Sequence, residues 1–131
     1  METYKIAHFG TFDASELDSE IIAIYNNDLE ALKKLLGKKI NKIIKIKGKY
    51  TESFTPLEMA LYLNKKDIIK YLFENNASYK GKFHPKPIEI ALRCCDAETV
   101  LMFKNDLKRK SGLIVWMWLI SAILSWFTTT L

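Results

Sequence analysis

Residues 55–77 read TPLEMALYLNKKDIIKYLFENNA, and the fold turns on how these twenty-three positions are understood. Thr55 has a side-chain oxygen able to accept a free N–H at a helix start. Pro56 suits the first helical turn, where its missing N–H costs nothing. Asn64 then offers a turn. Ile68, Ile69 and Leu72 follow at helical spacing, and the run closes on the small Ala77. Two short helices joined by a tight turn are expected, with Ala60 small enough to let a neighbouring helix approach closely.

Working outward, a shift of about 31 positions brings up Lys86-Pro87-Ile88-Glu89-Ile90-Ala91-Leu92 and then Thr99-Val100-Leu101-Met102-Phe103, the same unit with a degraded cap. A shift back by 37 aligns Ala23 with Ala60, and Leu35-Leu36 with Leu72-Phe73. Asp13-Ala14-Ser15-Glu16 has the spacing of a capped helix start, which predicts a first helix over about 14–26. Asn26-Asn27-Asp28 reads as a turn and a new cap, and a second helix carrying Leu29, Leu32, Leu35 and Leu36 ends at Gly37. Between Lys42 and Tyr50 the period changes. Ile44-Lys45-Ile46-Lys47 alternates apolar and basic before Gly48, as in a small hairpin or finger, and its lysines would block edge pairing.

This pattern resembles the ankyrin repeat, in which Thr-Pro-Leu opens an inner helix, Ala follows three residues on, and a turn, an Ile-Val pair and a Leu-rich outer helix lead to a small closing residue. Here those places are held by Thr55, Pro56, Leu57, Ala60, Asn64, Ile68, Ile69, Leu72 and Ala77. The likeness extends over 18–106 and is clearest in the middle unit. One departure stands out: the family's histidine after Thr-Pro-Leu is Glu58 here, and Glu89 in the next unit, so a weaker hydrogen-bond network between repeats is implied. The expected class is therefore all-α: an ankyrin-repeat solenoid of about three helix pairs with a lysine-rich, hairpin-like finger and a C-terminal apolar helix. Three units are near the minimum for such a stack. Residues 1–17, with Tyr4, Ile6, Phe9 and Phe12, are expected to cap it, 18–106 to form the repeat domain, and 107–131 to form a basic flank and apolar helix.

Composition agrees with one mostly helical domain: 131 residues, 49% apolar, 27% charged, with only five glycines and three prolines. Charge is segregated. The first thirty residues hold seven acids and a single lysine, Lys5, while 31–51 hold eight lysines and no acid. Such a dipolar surface fits a charged partner or a solvated face. Arg93 is the one arginine before Lys104, and base or bidentate phosphate recognition favours arginine, so nucleic acid is not the expected partner. Adjacent Cys94 and Cys95 read as reduced thiols, since a disulfide between neighbours closes a trivial loop. With only His8 and His84 besides, no tetrahedral metal set is available, and no cofactor is implied. Nor does the N-terminus carry an apolar run behind a basic start, so the body is expected in the cytosol.

From Gly112 to Leu131 there is no charged residue, and Lys108-Arg109-Lys110 precede this block. About twenty helical residues span roughly 30 Å, the thickness of a bilayer core. Two readings stand side by side: a membrane-inserted helix held by its basic flank on the cytoplasmic side, or a buried cap closing the repeat stack. Ser121, Ser125 and Thr128 form a small-residue stripe suited to helix packing in lipid or protein.

No phosphate loop, nucleophile elbow or His-Glu metal pair is present, so an enzyme is not expected. Glu58 and Glu89 are explained by repetition rather than as a catalytic pair. The ankyrin resemblance implies a protein-binding module working through its fingers and inner helices. The contact residues it implies are Lys45, Lys47, Lys49, Tyr50, Glu52, Glu58, Tyr62, Tyr79, Lys82, Phe83, His84, Glu89 and Arg93, facing an acidic protein surface. Small lysine- and isoleucine-rich chains with degenerate repeats also resemble bacterial immunity proteins that neutralise a toxic effector; a membrane-anchored adaptor or scaffold recruiting a cytosolic protein is the other reading.

Overall fold

The computed structural model describes residues 2–6, 8–80 and 84–130; side chains at 110–119 and 126–130 lie outside the description. The chain divides into two compact units, Met1–Val100 and Leu101–Leu131.

The first unit opens with an antiparallel pair, β1 (Thr3–Ile6) and β2 (Gly10–Asp13), with Thr3 opposite Asp13 and Ile6 opposite Gly10. Tyr4 and Ile6 turn inward while Thr3 and Lys5 face out, the two-residue period of a half-buried strand. His8 and Gly10 make the turn at φ 72° and 114°. A 3-10 turn over Ala14–Glu16 follows, with Glu16 accepting from the Asp13 N–H at 3.1 Å. The Asp13 cap therefore serves this short turn, and the helix expected from about 14 begins later, as α1 (Ser19–Tyr25).

Helix α2 (Leu29–Leu36) is capped by Asp28, whose Oδ1 accepts from the Ala31 N–H at 3.2 Å, and it ends at Gly37 with φ 55°. The lysine-rich stretch forms a second antiparallel pair, β3 (Ile44–Lys47) and β4 (Thr51–Phe54), with Ile44 opposite Phe54 and Lys47 opposite Thr51. Next come α3 (Pro56–Leu63), α4 (Lys66–Glu74), α5 (Pro87–Cys94) and α6 (Ala97–Thr130). Helix α3 starts with a capping box: the Thr55 hydroxyl accepts from the Glu58 N–H at 3.2 Å, and Glu58 Oε1 from the Thr55 N–H at 2.8 Å.

The expected all-α class is thus corrected. The protein is mixed α and β, with two small antiparallel sheets among predominant helices. The physical reason lies mainly in β1–β2, where alternation over four residues buries Tyr4 and Ile6 and the chain reverses through a left-handed histidine.

Helix α3 lies between α1 and α5, while α2 packs on α1 and α4 on α3. The same turn closes α1 and α3. Asn27 and Asn64 both sit in the left-handed region, at φ 55° and 51°, and the next N–H returns to Ala23 O at 2.8 Å and to Ala60 O at 3.0 Å. Ile21, Ile24, Leu32, Leu57, Met59, Ala60, Leu61, Ile68, Ile69 and Leu72 form the core between these elements, all within 1% of full burial. Each large side chain among them contributes about 1.5–3 kcal/mol through removal from water. Two charged clips fix α4 to the segment entering α6: Lys66 reaches Asp96 and Glu98, both at 2.7 Å.

In the second unit, Arg109 pairs with Asp106 at 2.7 Å, one turn apart on α6. Among the described residues no helix is long and apolar enough to cross a membrane. The expectation of a spanning or capping helix at 112–131 falls largely on side chains outside the described residues.

Candidate functional site

The β3–β4 finger is built by its period. Ile44 and Ile46 are fully buried, which leaves Lys45 and Lys47 on the opposite face in solvent. Its base is stitched to the start of α1: the Lys45 N–H donates to Asp18 Oδ2 at 2.9 Å, and the Asp18 N–H donates to Lys45 O at 3.2 Å. Lys47 lies 3.9 Å from Asp18 Oδ1, an exposed and weak pair. At the tip, Lys49 stands 5.8 Å from the Tyr50 ring centroid, and Tyr50 is 75% exposed. Gly48 is tightly set here, because a Cβ on it would meet Phe12 Cε1 at 3.0 Å. Glu52 is half-buried on β4.

Strand β4 delivers Ser53 and Phe54 into an aromatic cluster. The His84 ring lies flat on Phe54, with centroids 4.5 Å apart and planes 7° from parallel. Its Nε2–H donates to Ser53 O at 2.8 Å. Phe9, from the β1–β2 turn, meets Phe54, Tyr62 and His84 edge-on at 5.0, 5.1 and 5.7 Å. Edge-to-face pairs of this kind add about 0.5–1.5 kcal/mol beyond area burial.

Beside this cluster opens a cleft of about 250 Å³ lined by His8, Tyr62, Pro85, Ile90, Arg93 and Cys94. Cys94 Sγ lies 3.5 Å from His8 Nε2. Burial pushes the Cys94 thiol up, against the lowering influence of the Arg93 guanidinium. The Tyr62 phenol is also raised, first by burial and then by Cys94 and Glu58, again opposed by Arg93. Cys95 points elsewhere, its thiol donating to Leu61 O at 3.0 Å, and burial pushes it up to about 12.

The expected contact residues fall in different places. Lys45, Lys47, Lys49 and Tyr50 are exposed on the finger, and Glu89 and Arg93 are exposed on α5. Tyr62 and Arg93 meet in the cleft, with His84 beside Tyr62 at 5.8 Å. Glu58 needs correction as a contact: it is fully buried, one oxygen closing the α3 capping box and Oε2 without a hydrogen-bond partner among the described residues. Tyr79 is half-buried and packs edge-on against Phe73 at 5.9 Å, so its ring is taken up by the fold. Lys82 and Phe83 lie outside the described residues.

His8, Phe9, Phe54, Pro85, Ile90 and Cys94 belong to the cluster and its cleft but were not among the expected contacts. His8 and Cys94 stand 86 positions apart, and no local pattern links them. Phe54 is placed by its register opposite the buried Ile44 of β3. The comparisons with known proteins add no relative to this geometry: no family model, curated protein or solved structure matches the chain.

Proposed function

We propose that this chain is a protein-binding module that acts by stoichiometric binding, presenting the β3–β4 finger and the cleft beside Tyr62 to an acidic protein surface. The observation that carries the reading is the finger itself. Its buried isoleucines force Lys45 and Lys47 outward on one face, and its tip holds Lys49 against a three-quarters exposed Tyr50. Exposed lysines steer encounter with an acidic partner, and a tyrosine desolvated on docking supplies residence time. The likeness of residues 55–77 to an ankyrin repeat, together with the turn shared by α1 and α3, supports binding as the mode of action. An immunity protein neutralising a toxic effector is the specific form we favour.

A second reading is an adaptor attached to a membrane through residues 112–131, with its body on the cytoplasmic side. It is favoured by Ile120, Ile123 and Leu124, which are 50%, 54% and 60% exposed and share one face of α6 at i, i+3 and i+4. A bare apolar stripe of this kind calls for lipid or a partner over it.

The test is affinity capture with the detergent-extracted full chain, followed by kinetics with the captured protein. The combined change of Lys45, Lys47 and Lys49 to Glu is expected to lower the association rate about tenfold at low salt and flatten its salt dependence. Tyr62→Ala is expected to raise the dissociation rate. An association rate indifferent to the lysine changes and to salt overturns the finger as the docking element.

A further inference from the structure

The cleft beside α5 is chemically one-sided. Its polar lining consists of the Arg93 guanidinium, the His8 imidazole, the Tyr62 phenol and the Cys94 thiol, and it contains no carboxylate. Arg93 forms no ion pair among the described residues, Glu89 one turn earlier on α5 included. The carboxylates that act on this region, Glu52 and Glu58, bear on Tyr62 and line no part of the cleft. Cys94 Sγ lies 3.5 Å from His8 Nε2, and burial pushes its thiol up. An imidazole carries a ring N–H in either tautomer, so His8 adds a donor to the lining.

His8 stands in this place through a left-handed backbone, φ 72°, a conformation that strains a residue with a Cβ. The turn thus carries its histidine to the rim at some expense of stability. Tyr62, Pro85 and Ile90 supply the apolar remainder of the lining. Donors and one permanent cation over an apolar wall are complementary to an anion carried on a short aliphatic stem.

Building on the reading of the chain as a protein-binding module, we propose that this cleft is the anchor pocket for a glutamate or aspartate side chain of the partner protein. The guanidinium of Arg93 and the imidazole of His8 take the carboxylate, and Tyr62, Pro85 and Ile90 pack its methylenes. An Arg-carboxylate pair in a partly desolvated pocket is a recurrent affinity anchor.

Cys94 reports on the pocket from within. In the detergent-solubilised full chain carrying Cys95→Ser, the rate of Cys94 alkylation is measured with anionic iodoacetate and neutral iodoacetamide, folded and in urea. The folded chain is expected to favour iodoacetate about three- to tenfold more than the unfolded chain does. Arg93→Gln should return the ratio to the unfolded value, and Arg93→Lys should keep most of the preference. In a second arm, acetyl-Leu-Glu-Leu-amide should slow alkylation where acetyl-Leu-Gln-Leu-amide at equal concentration does not.

A ratio no higher than in urea, or one unmoved by Arg93→Gln, overturns the proposal. So does equal protection by the two peptides, which makes the cleft merely apolar, or a preference for iodoacetate without protection by the glutamyl peptide, which leaves a site for small free anions. Neither arm uses the partner protein. Failure here therefore leaves the finger-dependent association rate as a separate measurement of the binding function.

Discussion

At the scale of single residues, the start of α3 shows how a local sequence signal becomes stability. Thr55 and Glu58 satisfy each other's backbone N–H groups, and both are buried, so water cannot replace a lost partner. Thr55→Ala is expected to cost about 1 kcal/mol, read as a lower denaturant midpoint with an unchanged slope. Cys95 makes a prediction on the alkaline side. Its thiol is held protonated in the fold up to about 12, whereas an unfolded cysteine ionises near pH ~8.5. Below that lower value both states keep the proton and the contribution is constant. Above it only the unfolded chain releases its proton, so stability falls as pH rises through this window. Cys95→Ala should flatten that alkaline slope in denaturation curves taken from pH 8 upward, and Cys94 should react with a thiol reagent well before Cys95.

At the scale of elements, the finger depends on its register. Ile46 is fully buried and opposite Glu52, while its neighbour Lys45 is solvated, so a one-residue slip would exchange the two faces. Ile46→Ala should cost about 2–5 kcal/mol. Lys45→Ala should stay within about 0.5 kcal/mol, because its structural contacts are made by its backbone. Equal costs would contradict the register, and thermal unfolding of the two variants decides it. The elements also differ in how far they could be read from sequence. The helices following Thr55 and Asp28 were legible because their caps, stops and apolar spacing lie within one or two turns. The β3–β4 finger was legible through its alternation. By contrast the sequence marks β1–β2 only as a cap, since the strands are four residues long and no Asn-Gly or Asp-Gly pair announces the turn between them. The cleft was half legible: Tyr62 and Arg93 occupy equivalent places in successive units, but their neighbours His8 and Cys94 are joined by tertiary folding alone.

At the scale of the whole molecule, the proposed binding belongs to the charged body and leaves the uncharged C-terminal block outside it. Removal of residues 111–131 should leave the far-ultraviolet helical signal of the body, reduced only by the residues deleted, and should end association with vesicles or detergent micelles. Loss of cooperative unfolding in the shortened chain would show instead that the block completes the core. The bond pair between Asp18 and Lys45 has a further bearing on how the molecule comes into being. The carboxylate expected to finish the N-terminus of α1 is turned to an amide 27 positions later, and α1 receives no side-chain cap of its own. A nascent chain that has emerged only as far as α2 therefore lacks the partner that holds Asp18. Helix α1 should remain frayed until the finger has closed, so that the first turn of α1 and the amide of Lys45 become protected from hydrogen exchange together, and late in synthesis.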